Sequence, residues 1–425
     1  MRSEMFVELR LIIIEQRIMS VGPLSVRPAF GVHLENAQID AKLNLLLAVS
    51  ALEFSNYDLA RFVGPLLEEW RNVEIHGANM AANVCQVNER LVLSVEFGEN
   101  IRVNSIANVA IHSSQFPENV RRDLLESLRT RAVNHKFHYD SVKQTQKWLA
   151  LHQAFSPSRN DADCTATYDR AFEAAATGIK ATAVHLIGLG CGGGQKDTRL
   201  LELLKRQKKE ISYTPCDVST AMVLTARQTA LAVLTENNCF PLVCDLLRAD
   251  DLPAAFAGRR PALVTFFGMI PNFEPETILP KLAGLIDHHD TLLFSANLAP
   301  GSDYDSGVTK ILPQYDNTLT RDWLMTFLLD LGVESRDGKL QFTVEEVNGL
   351  KRVAAYFEFA RARTITVEDE AFDFHPTDKI RLFFSYRYTP TLVRNVLTKH
   401  GLAIVDQWIT QSEEEGVFLC RRNRG

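Results

Sequence analysis

The 425-residue chain lacks several features that would narrow its class at once. Its seven cysteines are scattered and none forms a CxxC pair, which argues against a disulfide framework and a zinc knuckle. A reducing cytosol is the compartment this usage fits, so a cytoplasmic location is expected. No apolar run reaches the roughly 18–20 residues of a membrane span. The longest candidate, Leu43 to Leu52, is broken by Asn44 and Ser50. The first 22 residues hold a short apolar core, Leu11 to Ile14, set among Glu4, Glu8 and Glu15, and are expected not to be a signal peptide. There is no basic surplus: 46 Lys and Arg stand against 52 Asp and Glu. That balance speaks against a nucleic-acid partner. A small-molecule substrate is the better expectation. Repeats and low-complexity tracts are absent as well.

What is present has the composition of a globular protein, with 46% apolar and 23% charged residues. Three regions are expected. Residues 1–112 read as a small α+β module of unknown role. Ser55 or Asn56 caps a helix carrying Leu59, Phe62, Val63, Leu66 and Leu67, and a strand follows with Leu91, Leu93, Val95 and Phe97 on one side. A homo-oligomer assembled through this module is one possibility. Residues 113–300 combine a helical lead-in with alternating strands and helices, the pattern of a parallel sheet built from βαβ units. Pro117 opens the first helix of that lead-in. His135 and His138, three apart, read as surface or packing residues, because no third ligand is near. Residues 301–425 read as a second subdomain: helices at about 308–331 and 343–350, then strands at 351–360, 380–388 and 402–408.

The chemistry concentrates after the strand Ala183 to Leu189. It runs into Gly190-Cys191-Gly192-Gly193-Gly194 and then a helix. Glycines there let the backbone turn tightly and approach a ligand closely. Such a loop alone is also found in nicotinamide-binding proteins and in plain turns. Two acids discriminate. Asp217 follows Gly192 by 25 residues at the end of the next strand, where a carboxylate accepts ribose hydroxyls. Asp245 follows 28 residues later at the end of the third, where it suits an adenine amino group. A nicotinamide cofactor needs only the first acid, so the pair favours S-adenosylmethionine (SAM). Cys191, Cys216 and Cys244, beside these positions, read as small apolar fillers. In Lys379 to Tyr388, alternation places Ile380, Leu382, Phe384, Tyr386 and Tyr388 on one face, and Arg381, Phe383, Ser385 and Arg387 on the other.

Over residues 118–422 the chain resembles the SAM-dependent histidine Nα-methyltransferases of ergothioneine biosynthesis and their fungal relatives acting on prenylated tryptophan. The likeness is carried by Phe137-His138-Tyr139-Asp140, Ser156-Pro157-Ser158-Arg159, the glycine loop through Lys196, and Cys216-Asp217-Val218. It continues in Phe267-Gly268-Met269-Ile270-Pro271-Asn272-Phe273, Gln314-Tyr315-Asp316 and Phe384-Ser385-Tyr386-Arg387. It implies an α/β fold: a Rossmann-like SAM-dependent methyltransferase sheet with an added substrate-binding α+β subdomain.

The resemblance also implies roles. Gly190, Gly192, Lys196, Asp217 and Asp245 would bind the cofactor. Tyr139 would hold the substrate amine together with Asn272, and Asn272 with Tyr315 its carboxylate. Ser385 would stand near the side chain. No metal is implied. The chain departs from the family at several of these places. Phe155 replaces a tyrosine, Phe383 a glutamate that binds imidazole, and Phe357 a methionine of the same pocket. Gly188 replaces an acid of the cofactor loop, and Pro271 a glycine. The expected activity is N-methylation of an amino acid or related small amine other than histidine. A catalytically inactive SAM-binding regulator, or an O- or C-methyltransferase, are the alternatives.

Overall fold

In a computed structural model the chain divides by its contacts into two units, Met1–Ala107 and Asn108–Gly425. The structure describes residues 107–156, 161–256, 258 and 261–423, and the backbone of short stretches before them. Among those stretches, Ala78–Val87 and Arg90–Phe97 pair as an antiparallel hairpin. The strand expected at Leu91–Phe97 is thus present, whereas the helix expected around Leu59 to Leu67 lies outside the described residues. So do the first 22 residues apart from Glu8-Leu9, and Pro157 to Arg159.

The second unit is built on an eight-stranded sheet. In chain order its strands are β1 (Ala110–Ile111), β2 (Ala183–Leu189), β3 (Glu210–Asp217), β4 (Leu242–Val243), β5 (Ala262–Phe266) and β6 (Thr291–Asn297). Strands β7 to β11 are Gly338–Val347, Leu350–Phe359, Arg363–Val367, Glu370–Phe374 and Lys379–Arg387, and they lie outside this sheet. The chain then returns to it with β12 (Leu402–Ile409) and β13 (Glu415–Arg422). The spatial order is β12-β13-β6-β5-β2-β3-β4-β1. Strands β1 to β6 pair in parallel, and β13 runs antiparallel to both its neighbours, β6 and β12. The order reverses at β2, which has β3 on one side and β5 on the other. In open α/β sheets a crevice opens at the carboxyl ends of the strands at such a point.

Nearly continuous apolar runs make β2, β5 and β6 buried on both faces. One core contains Ile187, Val264, Phe266, Phe294 and Phe418; the other contains Leu186, Leu263, Leu293, Tyr168 and Phe172. Helices cover both faces, as parallel sheets require. No helix among the described residues is long and apolar enough to cross a membrane.

A second sheet, β7-β8-β11, forms the added subdomain. It meets the main sheet through Tyr388, which pairs with Leu298 just past β6. A third core joins the two helices Pro117–Thr130 and Thr318–Asp330 to this sheet through Leu128, Phe327, Leu340, Phe357 and Ile380.

Three expectations are corrected. Residues 343–350 are not helical: they end β7, turn at Asn348-Gly349 and begin β8. Both turn residues have positive φ, 52° and 77°, which is the demand of a two-residue hairpin loop. The helix-forming Glu345 and Glu346 were outweighed by this turn. The division at residue 300 fails for β12 and β13, which complete the first sheet. Finally, β11 does not alternate throughout. Ala355 pairs with Phe383 but Tyr356 with Arg381, so Leu382 is an extra residue. This bulge turns the side chains before it. Arg381 accordingly stacks over Phe384, while Ile380 and Leu382 join Phe383 in the third core.

Candidate active site

The crevice at the ends of β2, β3 and β5 holds a cavity of about 570 Å³. Its floor is the glycine loop. Gly190 and Gly192 take φ of 62° and 53°, a left-handed conformation that side-chain-bearing residues rarely adopt. Among the described residues, the heavy atoms within 4 Å of a Cβ built at Gly192 belong to the Trp148 ring, at 3.6–3.8 Å, so the space above the loop is open to a ligand.

Asp217 ends β3 as the period of the strand requires. One carboxylate oxygen accepts the Gly192 N–H and the other the Ser219 N–H, both at 3.0 Å. These bonds hold the carboxylate beside the loop. Burial raises its pKa, against the pull of the backbone N–H groups. Asp245 stands past the end of β4. Its Oδ1 accepts the Leu247 N–H at 2.9 Å. Its Oδ2 is buried with no hydrogen bond and lies 3.5 Å from the Lys136 ammonium, which sits closer to Asp123. Asp245 borders the cavity, and a buried carboxylate oxygen without a hydrogen bond suits a ligand that brings a donor. Together Asp217, Asp245 and the open loop fit a cofactor with ribose hydroxyls and an amino-bearing base. Lys196 borders the same cavity, donates to the Tyr168 hydroxyl at 2.9 Å, and lies over that ring. Cys216 and Cys244 are packed in the core, and Cys191 borders the cavity.

Across the cavity the wall is aromatic. Tyr139 follows the short helix His135–His138 and packs against Trp148 and Trp323, with ring centres 5.9 and 5.5 Å away. Burial, reinforced by the Asp217 charge, raises its pKa, so the hydroxyl stays protonated at neutral pH. Asn272 lies in the turn after β5. Its amide Nδ2 donates to the Phe384 carbonyl at 2.8 Å, which ties that turn to β11 and directs Oδ1 elsewhere. Asn272, His135 and Phe273 also border a second cavity of about 230 Å³, which Phe383 lines. The two cavities therefore share a wall. Burial lowers the pKa of both histidines, His138 to about 4, and His138 bonds the Leu382 carbonyl. Both are packing residues of the site rather than surface residues.

The remaining residues divide. Tyr315 and Ser385 bond directly at 2.8 Å, and Arg387 donates to the Tyr315 oxygen at 2.9 Å. Asn297, on the large cavity, reaches Ser385 at 3.4 Å. Phe383 packs between Tyr315 and Trp323, at 6.2 and 5.8 Å. Phe383, Ser385 and Arg387 thus share a face. Phe155 sits at the cavity mouth, 55% exposed. Phe357 is 1% exposed, packs on Phe359 and lines neither cavity, so its expected place in the pocket is corrected. The bulge in β11 and the pairing of Phe357 with Ile380 direct it into the third core.

Sequence reasoning missed Trp148, Trp323, Asp197 and Glu415. The tryptophans carry no motif. Asp197 had a signal: a glycine inside β2, Gly188, marks a place where something approaches closely.

Comparison with known proteins gives three findings. Residues 120–422 match the family described as histidine-specific, SAM-dependent methyltransferase. An N-methyltransferase named imqF, from Aspergillus flavus, is 26% identical over 246 residues, covering 55% of this chain. The aligned part spans 66% of that relative's length. Among solved structures, a SAM-dependent methyltransferase from Clostridium acetobutylicum is 13% identical, with a TM-score of 0.38 over 66% of this chain and 99% of that one. Magnesium protoporphyrin IX methyltransferase from Synechocystis, solved with bound S-adenosylhomocysteine, is 14% identical, with a TM-score of 0.36 over 66% and 95%.

Proposed function

Because this chain belongs to the family of histidine-specific, SAM-dependent methyltransferases and is therefore a SAM-dependent methyltransferase, we propose that it N-methylates an amino acid or related small amine other than histidine. The observation that carries this reading is the junction of the two cavities. Tyr139 and Asn272 face the space above the glycine loop, and Phe383 lines the adjoining cavity.

SAM supplies a methyl carbon activated by its sulfonium and open to in-line displacement. Asp217 would accept the ribose hydroxyls, Asp245 the adenine amino group, and the backbone at Gly190 and Gly192 leaves the room. On the substrate side, the neutral Tyr139 hydroxyl and the Asn272 amide oxygen orient a deprotonated amine. Fixing the lone pair about 3 Å from the methyl carbon replaces a random encounter with a positioned one. The Tyr139 phenol stays protonated at neutral pH and cannot take up a proton, so the amine proton leaves to water. Tyr315, fixed by Ser385 and Arg387, supplies a place for the substrate carboxylate.

The substrate side chain would meet Phe383, which lines the adjoining cavity together with polar groups that include Glu126, Glu274 and Arg381. The Phe383 ring offers an imidazole no hydrogen bond where the resemblance implies a glutamate, and an unpaired polar group costs about 1–3 kcal/mol when buried. An apolar or aromatic side chain gains from the same burial. The Aspergillus relative's name supports nitrogen as the acceptor. A mass-spectrometric screen of amino acids and amines with isotope-labelled SAM tests the reading. A labelled N-methyl amino acid is the expected product. Labelled histidine as the dominant product, or label found only on oxygen or carbon, would overturn it.

A further inference from the structure

Gly188 has an ordinary extended backbone, yet a methyl group built on it overlaps the Asp197 carboxylate and comes 3.1 Å from the Tyr213 hydroxyl. The glycine is there for space, and Asp197 fills that space. The carboxylate reaches from the first turn of the helix Gln195–Arg206, beneath β2. Tyr213 of β3 donates to its Oδ2 and Thr265 of β5 to its Oδ1, each at 2.7 Å. It is 3% exposed, borders the large cavity and forms no ion pair with a Lys or Arg among the described residues. A buried carboxylate with no cation is costly unless a charge arrives to pair with it. Gly188 is also where the resemblance places an acid.

We propose that Asp197 replaces the missing acid of position 188 from the helix side and is the counter-charge that positions the ammonium of the cofactor's methionine end. The proposal rests on the reading of the large cavity as the SAM site. Asp217 and Asp245 commit the β3 and β4 side of the cavity to ribose and adenine, which leaves the methionine end for the β2 and β5 side, where Asp197 is held. Burial pushes the Asp197 carboxyl up to about 6, against the hydrogen bonds from Tyr213 and Thr265 and the nearby Lys196 charge; the other titratable groups facing it are Tyr213 and Cys191, both held neutral by burial. A cation bound beside it would hold it ionised.

Calorimetry of SAM and of S-adenosylhomocysteine separates the possibilities. The second ligand keeps the ammonium and lacks the sulfonium charge. Asp197→Asn is expected to weaken both ligands roughly ten- to hundredfold, the range of a hydrogen bond to a charged group. The advantage of wild type over Asp197→Asn should shrink as pH falls through about 6, which a purely structural role would not produce. Gly188→Asp alone should bind poorly, because two carboxylates then compete for one space. Gly188→Asp combined with Asp197→Ala should recover binding to within about threefold of wild type, since the acid is restored from the strand. Wild-type affinity in Asp197→Asn overturns the proposal, as does loss of SAM binding without loss of S-adenosylhomocysteine binding. If Asp197→Asn does not fold, the double variant decides: folded and non-binding, it overturns the transposition. Failure of the wild type to bind either ligand would instead remove the cavity assignment.

Discussion

The two sides of the cavity are built on different plans. The proposed cofactor side uses backbone and two acids at strand ends. Gly190, Gly192, Asp217 and Asp245 all stand at or just past the ends of successive parallel strands, and their positions follow from strand length and turn conformation. The proposed substrate side starts from Tyr139 and Asn272 on the cavity and continues behind it into Trp323, Phe383, Tyr315 and Ser385, segments up to about 250 residues apart joined by ring packing and the Tyr315–Ser385 hydrogen bond. A site assembled from local geometry tolerates changes in the surrounding core. A wall assembled from side-chain packing changes its specificity when one ring changes.

The largest effect separating the two plans is expected on the cofactor side. Asp217→Ala and Gly192→Val should each abolish measurable SAM binding, a loss beyond roughly a hundredfold. The first removes a charged acceptor and frees two backbone N–H groups; the second forces a β-branched residue to positive φ and fills the space facing Trp148. Circular dichroism should show both variants folded. Unchanged affinity in either would break the claim that this side is made by the loop and the strand end.

Next comes specificity. Phe383→Glu should raise kcat/KM for histidine relative to tryptophan and tyrosine by about ten- to hundredfold, because it gives an imidazole a partner it lacks. SAM affinity should stay as in wild type. If the wild type methylates histidine fastest and Phe383→Glu makes it worse, the wall does not select as described. A smaller effect, roughly tenfold, is expected from Tyr315→Phe. It removes the hydroxyl fixed by Ser385 and Arg387, so KM for the amino acid should rise with little change in kcat. Equal losses for an amine without a carboxylate would show that the hydroxyl does something else.

The smallest effect is in the pH dependence of stability, where the two sides carry opposite signs. Asp197 has its folded pKa raised to about 6 from 3.8, so the folded chain holds more protons between those values. Its contribution to stability falls as pH rises from about 4 to 6. His138 has its folded pKa lowered to about 4 from 6.5, so the unfolded chain holds more protons there. Its contribution is present above pH 6.5 and is lost as pH falls toward 4. Melting temperatures between pH 7.5 and 4.5 should show Asp197→Asn gaining on wild type as pH rises. His138→Gln should lose less than wild type as pH falls. Shifts of a few degrees are expected for a unit of this size. Parallel curves for wild type and both variants would remove the contrast.

Much of the cofactor side was legible in the residues. A strand, a glycine-rich turn and two acids at the ends of the next strands are local features, and local features set φ, strand period and turn. The family likeness added Tyr139, Asn272, Tyr315 and Ser385, and the structure brings Tyr315 and Ser385 into direct contact. It could not say that Phe357 packs on Phe359, because one extra residue at Leu382 shifts the pairing of β8 with β11. Nor could alternation reveal that Arg381 changes faces at that bulge.

By itself, then, the sequence determined the glycine loop after its strand and an acid at the end of each of the next two strands, since turn conformation and strand ends depend on neighbouring residues. The tertiary structure decided what closes the cavity. Trp148 meets Gly192 and Trp323 meets Tyr139 only because helices and strands distant in the chain pack at one crevice, and Asp197 is fixed beneath Gly188 by Tyr213 and Thr265 of two other strands. The side that a ring or a carboxylate faces is set by the shape of its neighbours, and no spacing along the chain encodes that shape.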